Sequence, residues 1–218
     1  MNVRKTVSLI LKTIVTLASF TGIIISVIPA PSALLYFTIQ SNVWIGVACL
    51  AGIVLMIKKA EIKRWMYMVK LIFTVSITLT GVVYCVLLAP LNGSGAYSLS
   101  SLLTHVVVPA ASVLDFAVCD YPAGYRKRDC LLVTIPPFYY LAFSAVGYAL
   151  NWNFSNGENY PYFFLNWGSP AGAFGFAEEL PYIGVFYYVL IMVAFVVGVG
   201  ALYILLARLI KKIAASGS

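Results

Sequence analysis

One histidine occurs in the 218 residues, and it stands inside an apolar run of helical length. An imidazole in such a setting is either hydrogen-bonded or functional, since it is the side chain whose ordinary titration range lies nearest neutral pH. Four residues after His105 comes Pro109, which lacks the N–H that would bond the His105 carbonyl, so a helix here should bend and open a polar notch. A second polar tract, Tyr36-Phe37-Thr38-Ile39-Gln40-Ser41-Asn42, opens another apolar run. Its Thr38, Ser41 and Asn42 recur at helical spacing and share one face. A threonine hydroxyl becomes a nucleophile when a base takes its proton during attack, and neutral imidazole does this near physiological pH. Gln40, Ser41, Asn42 or a backbone N–H would then stabilise the oxyanion of an acyl-transfer intermediate or orient the pair, and the sequence does not choose among them. Each group also has a plainer role: a threonine hydroxyl bonded back to the carbonyl of Leu34, and a histidine bonded across two helices.

The elements that must position these residues follow from composition. With 62% hydrophobic and 10% charged residues, the solvent for most of this chain is lipid. Six apolar stretches, residues 7–28, 34–57, 66–89, 99–119, 131–150 and 182–207, reach the ~20 residues that a helix rising ~1.5 Å per residue needs to cross a ~30 Å hydrocarbon core. Runs this long without period-two alternation are helices, since backbone in lipid must satisfy its own hydrogen bonds. The expectation is an all-α polytopic membrane protein with six transmembrane helices in one domain, residues 1–213. Residues 214–218 read as a short tail, native or left by cloning. The first stretch follows Arg4 and Lys5 but is too long for a signal-peptide core and ends at Pro29 and Pro31, so it reads as a retained signal-anchor helix.

All fourteen Lys and Arg fall on one side if there are six spans: around helix 1, between helices 2 and 3, between helices 4 and 5, and after helix 6. By the positive-inside rule that side is cytoplasmic and holds both termini. The net charge of +7 is then a topology signal and an attraction to anionic headgroups, with no nucleic acid implied. The opposite, exoplasmic side has two short links and one long loop, residues 151–181, between helices 5 and 6. That loop is dense in aromatic residues and suits a segment lying at the interface over the bundle. Thr38 and His105 each stand about six residues from that side, at a common depth of roughly 9 Å. Asp115, about sixteen residues in and ~24 Å deep, is too far to serve His105 and should pair with the cytoplasmic basic residues. Asp120 and Asp129 read as interfacial acids. The four cysteines form no CxxC, and none lies in an exoplasmic loop, so neither a disulfide nor a metal site is expected. A single histidine cannot supply both axial ligands of a haem, and no cofactor is implied. No internal repeat suggests a transporter.

These residues carry a resemblance. Tyr36-Phe37-Thr38, His105 with Pro109 and Asp115, Tyr121-Pro122, Val146-Gly147-Tyr148 with Leu150 and Trp152, and Tyr160-Pro161 with Leu165 resemble, in order, the androgen-induced family of intramembrane threonine hydrolases and its bacterial relatives. Members cleave fatty acid esters of hydroxy fatty acids. The resemblance spans residues 36–165 and implies Thr38 as nucleophile and His105 as the essential histidine. It departs from animal members at Pro109, one residue closer to the histidine, and at Ser41, where they carry Asp or Asn. The reading is therefore a lipid-ester hydrolase of the exoplasmic leaflet, in a bacterial inner membrane, acting on a membrane lipid or fatty acyl ester. Tyr148, Trp152, Tyr160, Pro161, Phe164 and Trp167 are its candidate substrate-lining residues. The rival is a non-enzymatic lipid-binding or regulatory scaffold.

Overall fold

The computed structural model describes residues 3–119, 124–154 and 157–216. Asp120, Tyr121 and Pro122, and the last two residues of the tail, lie outside them. Among the described residues six helices are long and apolar enough to cross a membrane, and the one extended pairing is a bridge between Phe176 and Ile183. The protein is thus an all-α polytopic membrane protein, as composition predicts. The spans are α1 (Val3–Val27), α2 (Phe37–Ile57), α3 (Arg64–Leu91), α4 (Leu99–Val118), α5 (Lys127–Ala149) and α6 (Val185–Lys212). The largest departures from the expected limits are in α1, which begins at Val3, in α5, which begins as a tight 3-10 stretch at Lys127, and in α6, which runs past Ala207.

The helices end where the chain chemistry allows. After α2, Lys59 takes a left-handed φ of 51° and the N–H of Ala60 returns to the Leu55 carbonyl at 3.0 Å. After α5, Asn151 does the same at φ 52°, with Trp152 N–H on the Gly147 carbonyl at 2.9 Å. Both closures satisfy carbonyls that the helix leaves open. Gly147 also makes room for the returning chain, since a Cβ there would stand 2.8 Å from the Trp152 ring.

α3 is the central helix. On one side it completes a four-helix group with α1, α2 and α4, whose core is Val15, Ala18, Ile45, Cys49, Ile77, Val108 and Ala111. On the other side its Leu71, Val75 and Leu79 meet Phe116, Val133, Val196 and Tyr203 from α4, α5 and α6. The outward faces, such as Leu17, Val47, Val86, Leu114 and Ile191, are exposed and apolar, which is what lipid requires of them.

Near the basic end of the bundle the charges go inside. Asp115 on α4 is fully buried and accepts from Lys12 Nζ of α1 at 2.8 Å, Lys70 Nζ of α3 at 2.9 Å and Ser8 Oγ at 2.8 Å. Lys70 Nζ also reaches Cys49 Sγ of α2 at 3.1 Å. Three helices meet at one carboxylate and Lys70 ties in the fourth, the pairing with basic residues that its position suggests. Asp129 does more than an interfacial acid need do. It pairs with Arg64 at 2.8 Å and accepts the Arg126 N–H at 2.7 Å, capping the start of α5.

Candidate active site

Thr38 is the second residue of α2, and Tyr36 before it is extended, at φ −85° and ψ 140°. Its N–H is among the first amides of the helix, which have no partner within it. The hydroxyl does not turn back to the Leu34 carbonyl, which takes the Gln40 amide at 3.2 Å instead. It faces His105, with Thr38 Oγ1 3.2 Å from His105 Nε2.

The break expected at Pro109 is present as a widened turn. Over Leu103–Val107 the helix is π-wound, the N–H of Val108 reaching back to the Leu103 carbonyl. Such turns aim side chains that a regular helix would point elsewhere. α3 comes close here because residue 81 is glycine: a Cβ would stand 3.0 Å from the His105 carbonyl oxygen and 3.1 Å from the Pro109 ring. One turn further on, Tyr84 stacks on the imidazole with centroids 3.6 Å apart and an interplanar angle of 14°. The Tyr84 hydroxyl is held by the Ala96 carbonyl at 2.8 Å.

The other ring nitrogen decides the tautomer. His105 Nδ1 lies 3.1 Å from the Ser101 carbonyl, which can only accept, so Nδ1 carries the proton. Thr104 Oγ1, 3.1 Å from the same nitrogen, gives its own proton to the Ser100 carbonyl at 2.8 Å and is free to accept as well. Neutral His105 therefore presents a bare lone pair at Nε2 to the Thr38 hydroxyl. Among the described residues the orienting partner of this imidazole is a backbone carbonyl and not a carboxylate. Asp115 stands ten residues further along the same helix, about 15 Å away by the helical rise.

The three polar residues after Thr38 support it from behind. Ser41 Oγ donates to the Thr38 carbonyl at 3.0 Å and meets Thr80 Oγ1 of α3 at 2.8 Å. Asn42 spends both amide protons, on the Thr38 carbonyl at 2.8 Å and on the Thr104 carbonyl of α4 at 3.2 Å. Their donors are committed, so Ser41 and Asn42 orient α2 against α3 and α4 and have no proton left for an oxyanion. Gln40 is turned toward Leu34.

The polar group that sequence reasoning missed is the hydroxyl of Tyr162, from the long loop. It accepts the Thr38 N–H at 3.4 Å and lies 3.5 Å from Thr38 Oγ1. Burial pushes its phenol up to about 12, so at neutral pH it is a protonated donor. Tyr36 packs edge-on against it at 5.5 Å and Phe164 stacks on it at 5.0 Å.

A largely apolar cavity of about 70 Å³ lies below this group, with Thr38, Tyr162 and Phe164 in its wall. Of the predicted lining residues, Phe164 is there, whereas Tyr148, Trp152, Tyr160, Pro161 and Trp167 line none of it. Trp152 packs on Phe143 at 5.2 Å, and Gly168 is seated against the Tyr148 hydroxyl. They shape the loop that carries Tyr162 and Phe164.

The fold and the site together define a polytopic membrane protein with a threonine–histidine pair at one end of its bundle, beneath an aromatic loop. No known protein family matches the chain, and neither curated proteins nor solved structures give a match.

Proposed function

We propose that the chain is an intramembrane hydrolase of lipid esters, fatty acid esters of hydroxy fatty acids or chemically similar molecules, working on the exoplasmic side of a bacterial inner membrane. The observation that carries this reading is the 3.2 Å approach of the Thr38 hydroxyl to an imidazole nitrogen that must be unprotonated. The ordered resemblance from Tyr36 to Leu165 supports the same two residues.

Thr38 Oγ1 attacks the ester carbonyl while His105 Nε2 takes its proton. The oxyanion forms beside two donors, the Thr38 N–H at the positive end of α2 and the Tyr162 hydroxyl. The imidazolium created in this step keeps its Ser101 carbonyl partner and lies flat on the Tyr84 ring, an arrangement that favours a cation. His105 then returns the proton to the leaving alkoxide, freeing the alcohol product and leaving Thr38 acylated. Water, deprotonated by the same nitrogen, attacks the acyl carbonyl, and the imidazolium returns the proton to Thr38 Oγ1 as the C–O bond breaks and the acid leaves.

Removing either partner of one catalytic unit should cost nearly the same, because an unassisted hydroxyl stays protonated. Thr38→Ala, His105→Ala and the double variant should each lose about 10² to 10⁴ in turnover of a long-chain ester. Thr38→Ser should keep part of the activity. Turnover and fluorophosphonate labelling in nanodiscs, with folding checked independently, provide the measurement. Full turnover in well-folded Thr38→Ala protein would sink the assignment, and a wild type left unlabelled would favour the scaffold.

A further inference from the structure

The cavity below Thr38 has a side opening. α5 and α6 pack together through Lys127–Thr134, where Gly200 of α6 lets Val133 approach so closely that a Cβ would stand 3.1 Å from it. Beyond Ile135, at the Pro136-Pro137 pair, the two helices diverge. Phe138 and Leu141 of α5 face Met192 and Val193 of α6 across the space between them, and all four line the cavity. Phe138 is at the same time 48% exposed, so the cavity reaches the outer surface of the bundle there. Both walls lie within membrane spans, so what stands outside this opening is hydrocarbon.

The cavity also has a depth. On α3 its lining runs from Leu88 to Leu79, nine residues or roughly 13 Å by the helical rise. That is about half of a ~30 Å hydrocarbon core, one leaflet. Below it the bundle is closed by Val75, Val133 and Val196, all fully buried, and by the Thr78–Tyr203 hydroxyl pair at 2.8 Å. Thr38, Thr80, Tyr140 and Tyr162 bring hydroxyls to its wall, and Phe138, Leu141, Met192 and Val193 between α5 and α6 are apolar.

We propose that the cleft between α5 and α6 is a lateral doorway from the bilayer, taking one acyl chain of a membrane lipid and setting its carboxyl end at Thr38. A chain already lying in the leaflet moves sideways between the helices and exchanges one apolar surrounding for another without crossing water. The ester chemistry at the head of the cleft rests on the reading given above. The position of the acyl chain does not.

Two arms separate the two ideas. Val193→Trp fills the cleft, and Ile191→Trp on the lipid-facing side of the same helix is the control. Each is labelled in nanodiscs with a methyl and a hexadecyl fluorophosphonate. Val193→Trp should slow hexadecyl labelling about tenfold or more, because the indole takes the space the chain needs, and leave methyl labelling within about twofold. Ile191→Trp should leave both unchanged. Equal rates for Val193→Trp and wild type with both probes would overturn the doorway. In the second arm, wild-type protein in vesicles holding a phospholipid with a diazirine on one acyl chain is irradiated and its adducts mapped. Adducts on Met192 or Val193 support the cleft, and adducts confined to outward residues such as Phe138, Leu190 and Ile191 refute it. A wild type that no fluorophosphonate labels would remove the Thr38 chemistry and leave the cleft to be judged by the adducts alone.

Discussion

Tyr162→Phe deletes one oxygen from the site and little else. The ring contacts with Tyr36 at 5.5 Å and Phe164 at 5.0 Å are available to phenylalanine, and the lost hydrogen bonds to Thr38 are long, at 3.4 and 3.5 Å. A neutral hydrogen bond of ordinary geometry contributes only about 1 kcal/mol to stability, so the fold should tolerate the change. The reaction should not. Loss of one oxyanion donor costs about 10² to 10³ in kcat where donors are well placed. Here the Thr38 N–H remains and the Tyr162 distance is longer than ideal, which puts the expected loss at the lower end, about 10². It should fall equally on kcat and kcat/KM, as for an interaction made only in the transition state. The assay is turnover of a chromogenic long-chain ester in nanodiscs, paired with the rate of fluorophosphonate labelling, whose transition state also places charge on oxygen. Tyr160→Phe, on the same loop, is the control and should behave as wild type. Because burial raises the Tyr162 phenol to about 12, it stays protonated and able to donate through pH 9, and wild-type turnover should show no loss from this group between pH 7 and 9. A Tyr162→Phe protein within twofold of wild type in both assays would refute the oxyanion assignment.

Other perturbations test the frame around the site. With the native cysteines replaced, a cysteine at Asn153 should react with an impermeant thiol reagent from the exoplasmic side and one at Lys127 should not; the reverse pattern would invert the topology. Asp115→Asn strands Lys12 and Lys70 in the core and should destabilise by about 3 to 5 kcal/mol in detergent unfolding, with Lys70→Met restoring part of the loss. Activity per folded molecule should hold, since the cluster is about 15 Å from His105. Gly81→Ala should push α4 off α3 at a backbone carbonyl and a proline ring, neither of which yields easily, lowering turnover by about 10² for a displacement of order 1 Å. Turnover unchanged in that variant would show that the close approach does not align His105.

What could be read from the sequence is what a fixed helical rise determines. Six spans, the basic end and the common depth of Thr38 and His105 all follow from counting residues along helices, and α2 and α4 bring those two side chains to 3.2 Å. Ser41 and Asn42 were visible as companions of Thr38 on one face, but spacing does not say whether a donor points at a hydroxyl or at the carbonyl behind it. Lys12 and Lys70 counted with the basic end, although each lies more than a turn inside its helix and is buried on Asp115. Tyr162 was hidden for a different reason. It comes from a loop, where no periodicity converts position in the chain to position in space, and its neighbours in sequence, Tyr160, Pro161 and Phe164, offered the same aromatic signal.

Pro109 is legible by itself, and three further residues complete its effect. Pro109 has no N–H, so the turn before it widens over Leu103–Val107. A widened turn with the His105 carbonyl at its surface needs a neighbour without a Cβ, and Gly81 supplies it at the same level of α3. Three residues past that glycine, on the adjoining turn, Tyr84 is in position to cover the imidazole. Ser101, four residues before the histidine, offers the carbonyl that fixes its proton on Nδ1. Each of these facts is local and legible in the sequence, while the pairing of α3 with α4 that unites them is tertiary. His105 is thus held by backbone geometry, with its Nε2 turned to the hydroxyl that α2 brings to the same depth.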